Sequence, residues 1–596
     1  MARSPLADST GVLTFTVTSN GRRISEATQV VSIQVQRGVA RVPSARLVIA
    51  DGDAATDTWP VSDGADFVPG AQITIAAGYG DGEDLLFEGI VVKVGIQVSG
   101  ENYSRLVVEC RDKAVALTVG RRNANYVDQT DGGIIATLAA GAGLQATVDA
   151  TDVTHRELVQ YYCSDWDFLV SRAEVNGLLV IADDGHLKVK APAVNAEPVL
   201  AVSYGADLIE FQAEIDARQQ WASVEAVAWD PKQQAVLESG GQPPETLNVQ
   251  GNLKSATLSA VIGLDALRLQ TCVPLQSGEL RGWSAAQQRR AGLARIRGRM
   301  KFQGHAAARP GVLIELGGMG ARYDGRVFVG AVTHVLEDGN WFSEVDFGLA
   351  PDWFTERRDL VAPPAAGWLP GAEGLQIGRV LKLEGDPEGL SRIQIELPVM
   401  QAQTPGVWAR LLQFHASSGF GAFFLPEIGD EVVVGHFNHD PSHPVVLGSL
   451  YSSQRKPPYV LEDKNDTKAI VTRCKARIEI NEADKVVTII TPAKNQVVLS
   501  DKDKSILLSD QNGNKVELHT GGITLDSPKD IKIIAKGTID IDAVGKISIA
   551  SQADVAAKGL NIECTANVAF TAKGNASAEL SASGQTTVRG ALVMIN

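Results

Sequence analysis

Apolar residues recur every eight positions near the end of the chain. Ile531/Ile533, Ile539/Ile541, Ile547/Ile549 and Val555/Ala557 form successive pairs, with Gly537 and Gly545 between them. Within a pair the spacing is two, so both side chains point to one face of a strand. Between pairs it is eight, so each unit is one strand plus one sharp corner. Looser units precede these at Val487/Ile489, Val497/Leu499, Ile506/Leu508, Val516/Leu518 and Ile523/Leu525, and follow at Leu560/Ile562, Val568/Phe570 and Ala576/Ala578. A short fixed period marks a repeat architecture rather than a globular core. Two inward side chains per strand bury little in one copy, and a lone ladder leaves its edges unpaired. Three copies wound about one axis share the narrow interior and pair one another's edges. Residues 466–596 therefore read as an intertwined homotrimeric β-helix needle, with Ile531, Ile533, Ile539, Ile541, Ile547, Ile549 and Val555 in its interior. A single-chain β-solenoid is the competing reading, and the alternation argues against a Ser/Ala-rich disordered tail.

Upstream, period-two runs broken by Gly/Asp turns fill residues 12–118: Val12–Val17, Gln29–Val35, Ala45–Ile49, Ile73–Ile75 and Leu106–Cys110. This spacing predicts a barrel or sandwich. Residues 131–176 turn helical, with one short helix over Ile134–Ala140. Ser164-Asp-Trp-Asp167 is a capping-box variant opening a second helix that buries Phe168, Leu169 and Ala173. Strands return at Leu178–Ile181 and Leu187–Val189. A longer helix is predicted from Ser284, carrying Arg289, Arg290, Arg295, Arg297 and Arg299 as a solvated or acid-paired face. Pro-rich Val361–Gly367 reads as a linker. Five short strand candidates follow, at Ile377–Val380, Ser391–Pro398, Val407–Arg410, Gly421–Phe424 and Glu431–Gly435, a count that fits a small Greek-key barrel of the OB type. The predicted fold is mainly β. Its domains are 1–365, two β-barrel subdomains with an α/β portion near 119–195; 374–455, the OB barrel; and 466–596, the needle.

Composition narrows the partners. The formal charge of −15 over 596 residues would become about −45 in a trimer, which argues against broad nucleic-acid or anionic-membrane binding. The five cysteines lack Cys-x-x-Cys spacing and read as buried reduced thiols of a chain folded in the cytoplasm. The N-terminal residues carry no apolar signal segment, and no stretch is long enough to span a bilayer.

The run Phe423-Phe-Leu-Pro-Glu-Ile-Gly-Asp-Glu-Val-Val-Val434, followed by His439-Asp-Pro-Ser-His-Pro-Val-Val-Leu-Gly-Ser-Leu-Tyr451, strongly resembles the OB domain of VgrG-type spikes and phage baseplate spike proteins. It departs from their pattern at His439 and Ser442. Asp165–Arg172 with Asn176–Val180, Lys301–Gly304, Gly339–Trp341 and Phe347–Leu349 resemble parts of the hub in the same families. The resemblance implies a phage-hub-like portion, an OB barrel and a needle in that order, with no enzyme domain between barrel and needle. It implies a structural cell-puncturing spike of a contractile injection system, either type VI secretion or an extracellular phage-tail-like particle. The partners it implies are a homotrimer, tail tube and baseplate proteins, effector cargo, and a PAAR-repeat tip contacting Val593, Met594, Ile595 and Asn596. A target membrane would be met only by mechanical penetration. The chain would assemble in the cytoplasm without a signal peptide and leave it on contraction.

Three segments offer candidate chemistry. His436, His439 and His443 lie close in sequence, but zinc needs a closed shell, usually of four ligands, and no Cys is near. Gly141-Ala-Gly143-Leu-Gln-Ala146 matches a dinucleotide fingerprint yet ends a helix instead of opening one. Asp51-Gly-Asp53 lacks the remaining calcium ligands and reads as a turn. The expectation is no catalytic residue, no metal and no cofactor. A β-helical polysaccharide lyase or hidden hydrolase, and a trimeric adhesin or receptor-binding fibre, remain as rival readings. Turnover on polysaccharide would favour the first, and glycan or cell-surface affinity the second.

Overall fold

The structure, a computed structural model, describes residues 2–595 apart from 9–10, 81, 101–102, 246 and 401–405. The chain divides into two compact units, Met1–Tyr451 and Ser452–Asn596.

The first unit is mainly β. A thirteen-stranded sheet runs through most of its N-terminal part, joining strands from residues 13–111 to strands from residues 200–347. The join is the pairing of Val30–Gly38 with Gly325–Glu337, across which Val35 meets His334 and Ile33 meets Leu336. Period-two alternation gives each half its own core. Val17, Ile33, Val35, Leu47, Ile49, Ile73, Ile75, Phe87 and Val108 fill the first. Met300, Phe302, Ile314, Val327, Val329, Val345 and Phe347 fill the second. Trp341 reaches from the second set of strands into the first core, where it stacks on Tyr79 at 5.6 Å. Gly304 makes room for it: a Cβ there would stand 2.1 Å from Trp341 Cγ.

The α/β portion holds α1 (Asp131–Gly141) and α2 (Asp165–Val175). They pack over a three-stranded sheet of Leu179–Asp183, His186–Lys190 and Gln145–Val148. Ser164 caps α2 as expected: its Oγ accepts the Asp167 amide at 3.1 Å and donates to the Asp167 carboxylate at 2.6 Å. Phe168, Leu169 and Ala173 are buried. Gly143, at φ +71°, closes α1 in the left-handed conformation that glycine takes without strain. Two further helices follow, α3 (Ser255–Ile262) and α4 (Ser277–Leu293).

The long helix starts seven residues earlier than the sequence suggested. The Glu279 carboxylate accepts the Gln276 amide at 2.8 Å, the return half of a capping box. Ser284 is buried in mid-helix, where its hydroxyl donates back to the Leu280 carbonyl at 2.9 Å. Arg289 and Arg290 are on α4, but Arg297 and Arg299 sit on the strand Ile296–Gln303 and Arg295 just precedes it. Four of the five meet carboxylates: Arg289 with Glu245, Arg290 with Glu174, Arg297 with Glu214 and Arg299 with Asp346. Arg295 is buried and donates to the Gln250 carbonyl at 2.9 Å.

Five strands close the barrel that follows: Gln376–Lys382, Ile393–Glu396, Val407–Leu411, Glu431–His436 and Pro444–Ser449. The predicted strand at Gly421–Phe424 is absent. Gly421 makes one isolated bridge to Ala416, and both phenylalanines are exposed. The fifth strand is Pro444–Ser449, which pairs in parallel with Val407–Leu411 and buries Val446. Its Pro-flanked start conceals it, because proline is tolerated at the first residue of a strand. The cysteines also depart from expectation: Cys110 is buried, with its thiol pushed up to about 12 by burial, but Cys272, Cys474 and Cys564 are exposed.

In the second unit, residues 467–526 form a seven-stranded antiparallel meander. Beyond Asp526 no strand is present among the described residues.

Candidate functional site

The apolar repeat takes two forms, divided at about residue 526. In the meander, five-residue strands are joined by reversals whose tips include Lys475, Lys485, Lys494 and Lys504, all at positive φ. A left-handed residue at the turn folds the chain straight back, so each strand pairs with the next. The registers place Ile470, Ile478, Ile489, Val497, Leu508, Val516 and Leu525 in one column across the sheet. Ile480, Val487, Leu499, Ile506, Leu518 and Ile523 form a second column on the same face, since each lies two residues from a member of the first. The opposite face is largely polar, with Arg477, Glu479, Thr488, Ser509, Glu517 and Thr524. The result is an amphipathic sheet whose apolar side is open in the single chain: Ile478, Ile489, Leu499, Leu508 and Leu525 are exposed.

From residue 528 the backbone changes. Bends fall at 528–529, 536–537, 544–545, 552–553, 560, 567–568, 575–576, 583–584 and 591–592. The eight-residue period thus persists to the end of the described chain, with one seven-residue step near 560, through segments where Ala, Ser and Thr blur it in the sequence. None of the described residues after Gly522 has positive φ, including Gly537 and Gly545. These corners therefore do not reverse the chain, and it runs on without pairing with itself. Backbone N–H and C=O groups left without a ladder partner must find one in water or another chain.

The predicted interior residues lie in this unpaired stretch. Ile531, Ile539 and Ile547 are 55%, 51% and 50% exposed, and Ile533, Ile541, Ile549 and Val555 are also exposed. One chain does not enclose them. The downstream pairing needs a correction of phase: Leu560 and Val568 fall on bends and are 101% and 98% exposed, while Ile562 and Phe570 follow two residues later and are less exposed. The equivalents of Ile547/Ile549 are thus Ile562/Cys564, Phe570/Ala572, Ala578/Leu580 and Thr586/Val588. Val593, Met594 and Ile595 are exposed, and Asn596 lies outside the described residues.

No group of three or more His, Cys, Asp or Glu suited to a metal occurs among the described residues. His443 instead meets Asp440 at 3.4 Å, and both ring nitrogens of His436 are buried without a hydrogen-bond partner. Asp51 is a turn residue, accepting the Val61 and Ser62 amides at 3.0 and 2.7 Å. One polar cluster was not foreseen. Asp131 accepts from Arg172 Nε at 2.6 Å and Asn176 at 2.9 Å and meets His155 at 3.0 Å. Burial pushes the Asp131 carboxyl up, but the hydrogen bonds and charge of Arg172 outweigh it and hold it below the usual range. His155 also lies 3.4 Å from Glu279, so the cluster ties α1 and α2 to the start of α4. No sequence motif marks it, because its members are brought together only by packing. No described helix is long and apolar enough to cross a membrane.

Two family models match the chain. The Alg8 N-terminal domain matches residues 9–338, more than half of the chain, and the type VI secretion system/phage-baseplate injector OB domain matches residues 376–451. Among curated proteins, the chain is 28% identical over 109 residues to the type VI secretion system spike protein VgrG3 of Vibrio cholerae, covering 17% of this chain and 11% of that protein. It is 29% identical over 113 residues to the spike protein VgrG2a of Pseudomonas aeruginosa, covering 18% and 13%. The matched segments thus span only about a tenth of these relatives' length. Among solved structures, a tail protein from Neisseria meningitidis aligns with 58% of this chain and 98% of its own, at 15% identity and a TM-score of 0.43. The chain therefore belongs to the Alg8 N-terminal domain family, and it carries at residues 376–451 an injector OB domain similar to that of the VgrG-type baseplate spike proteins.

Proposed function

We propose that the chain works as a homotrimeric cell-puncturing spike at the tip of a contractile injection system. The observation that carries this reading is the backbone beyond residue 526, which keeps a corner period of about eight residues yet forms no strand pairing among the described residues. Three such chains can satisfy one another's strand edges and enclose the Ile531–Val555 ladder. The two-column apolar face of the meander supports the same symmetry. Three amphipathic sheets facing a common axis would bury their apolar sides and leave the polar sides in water.

In this arrangement residues 1–365 join the spike to tail tube and baseplate proteins, the OB barrel at 374–455 forms a neck, and 466–596 transmits axial force. Val593, Met594, Ile595 and Asn596 would seat a PAAR-repeat tip, and effector cargo would travel with the spike. The role is mechanical and not enzymatic. The whole chain tests it: native mass measurement should give three copies of the 63.3 kDa protomer, about 190 kDa, and electron microscopy should resolve a threefold axis along the shaft. A stable monomer would overturn the reading.

A further inference from the structure

Beside the pairing of Val30–Gly38 with Arg41–Ala50 lies a cavity of about 610 Å³. Five arginines line it, Arg37, Arg41, Arg111, Arg299 and Arg357, against two carboxylates, Asp346 and Asp359. Two of the arginines are used within the fold. Arg37 is buried and donates to the Leu86 carbonyl and to Asp183 and Asp184. Arg299 donates to Asp346 at 2.9 Å. Arg41, Arg111 and Arg357 make no ion pair among the described residues, and Arg357 lies 4.4 Å over the Phe354 ring.

Three guanidinium groups without an ion-pair partner, facing the single remaining carboxylate of Asp359, stand out on a chain of net charge −15. Like charges held together repel, and an anion entering between them relieves that repulsion. The planar guanidinium fork matches a carboxylate in bidentate geometry. The lining also offers apolar contact through the half-buried Val42 and Ala331, backed by the buried Trp166. That combination suits side chains carrying both a hydrocarbon stem and a carboxylate. A nucleic acid fits less well, because its charge would extend past the cavity onto an acidic protein.

We propose that this groove docks an acidic segment of another polypeptide, whose carboxylates meet Arg41, Arg111 and Arg357. The test uses the full chain and a fluorescein-labelled Asp-Glu-Leu-Glu-Asp-Leu peptide, read by anisotropy at low salt. Saturable binding is expected, weakened about tenfold by Arg41→Gln and again by Arg357→Gln. Lys190→Gln, an exposed site outside the cavity, should leave it unchanged, and the Asn/Gln counterpart peptide should not bind. Absence of saturable binding, or binding indifferent to both arginine variants, overturns the proposal. An oligonucleotide that competes with the same variant sensitivity would make this a nucleic-acid groove. A changed sedimentation coefficient of Arg41→Gln alone would make it a contact between copies of this chain. Either result also overturns the proposal.

Discussion

Replacing Ile539 by serine probes whether the octad ladder is the interior of a trimer. Ile539 is 51% exposed in one chain, so enclosure would remove about half of its surface from water. Full burial of an isoleucine side chain is worth about 1.5–3 kcal/mol, so half is worth about 1 kcal/mol per copy. The substitution acts on all three copies at one level of the shaft, giving about 3 kcal/mol per trimer, or roughly a hundredfold in the association constant. Adding Ile547→Ser one unit below should about double the effect, because the two sites occupy separate levels. Sedimentation velocity through a guanidinium series reads the loss of trimer mass. Ile539→Ser should dissociate at lower denaturant than the parent, and the double variant at lower still. Val544→Ser, on a bend and exposed, should behave as the parent. If the parent sediments as a monomer, or all variants lose the trimer at one denaturant concentration, the enclosed-ladder argument fails.

Three further outcomes follow from the first unit. His334 is buried against Ser343, and burial first, then the nearby Arg37 charge, lowers its pKa from 6.5 to about 3. A depressed histidine contributes stability that is present above its unfolded value and lost as pH falls through that value toward the folded one. Stability should therefore drop by about 2 kcal/mol between pH 7 and 5. Urea midpoints should record it, and an unaltered slope in His334→Asn would refute the assignment. Gly304→Ala would press a methyl into the Trp341 ring, and should cost about 3 kcal/mol and reduce the Trp341 near-ultraviolet dichroism. Ser164→Ala removes the α2 cap and should cost about 1 kcal/mol in thermal unfolding, with Ser164→Thr restoring most of it.

The sequence could be read wherever a local rule acts alone. Alternation located the strands Leu13–Ser19, Arg41–Ala50 and Gln72–Tyr79, and the Ser164–Asp167 pair located α2. It misled where one local signal outranked another. Ser284 looked like the start of the long helix, but it lies buried in mid-helix, where its hydroxyl is satisfied by the preceding turn. Phe423 and Phe424 looked like strand residues, but their flanking Gly421 and Pro426 leave them in an exposed loop. The Asp131–His155–Arg172–Glu279 cluster and the arginine groove left no pattern at all, since their members are scattered along the chain and meet only through packing.

What the sequence determined by itself is the period: two within each strand, eight between strands, and too few apolar residues per strand for a single chain to bury. Those are properties of consecutive residues, and backbone geometry translates them directly. What the tertiary structure decided is where that repeat changes character. Left-handed turn residues as far as Lys504 and Gly522 fold the chain back on itself, whereas the corners from 528 onward lack them and leave the strand edges without partners. The same apolar pair is a face of a self-paired sheet before Asp526 and an open ladder after it, because turn conformation and not hydrophobicity decides which strand comes next to which.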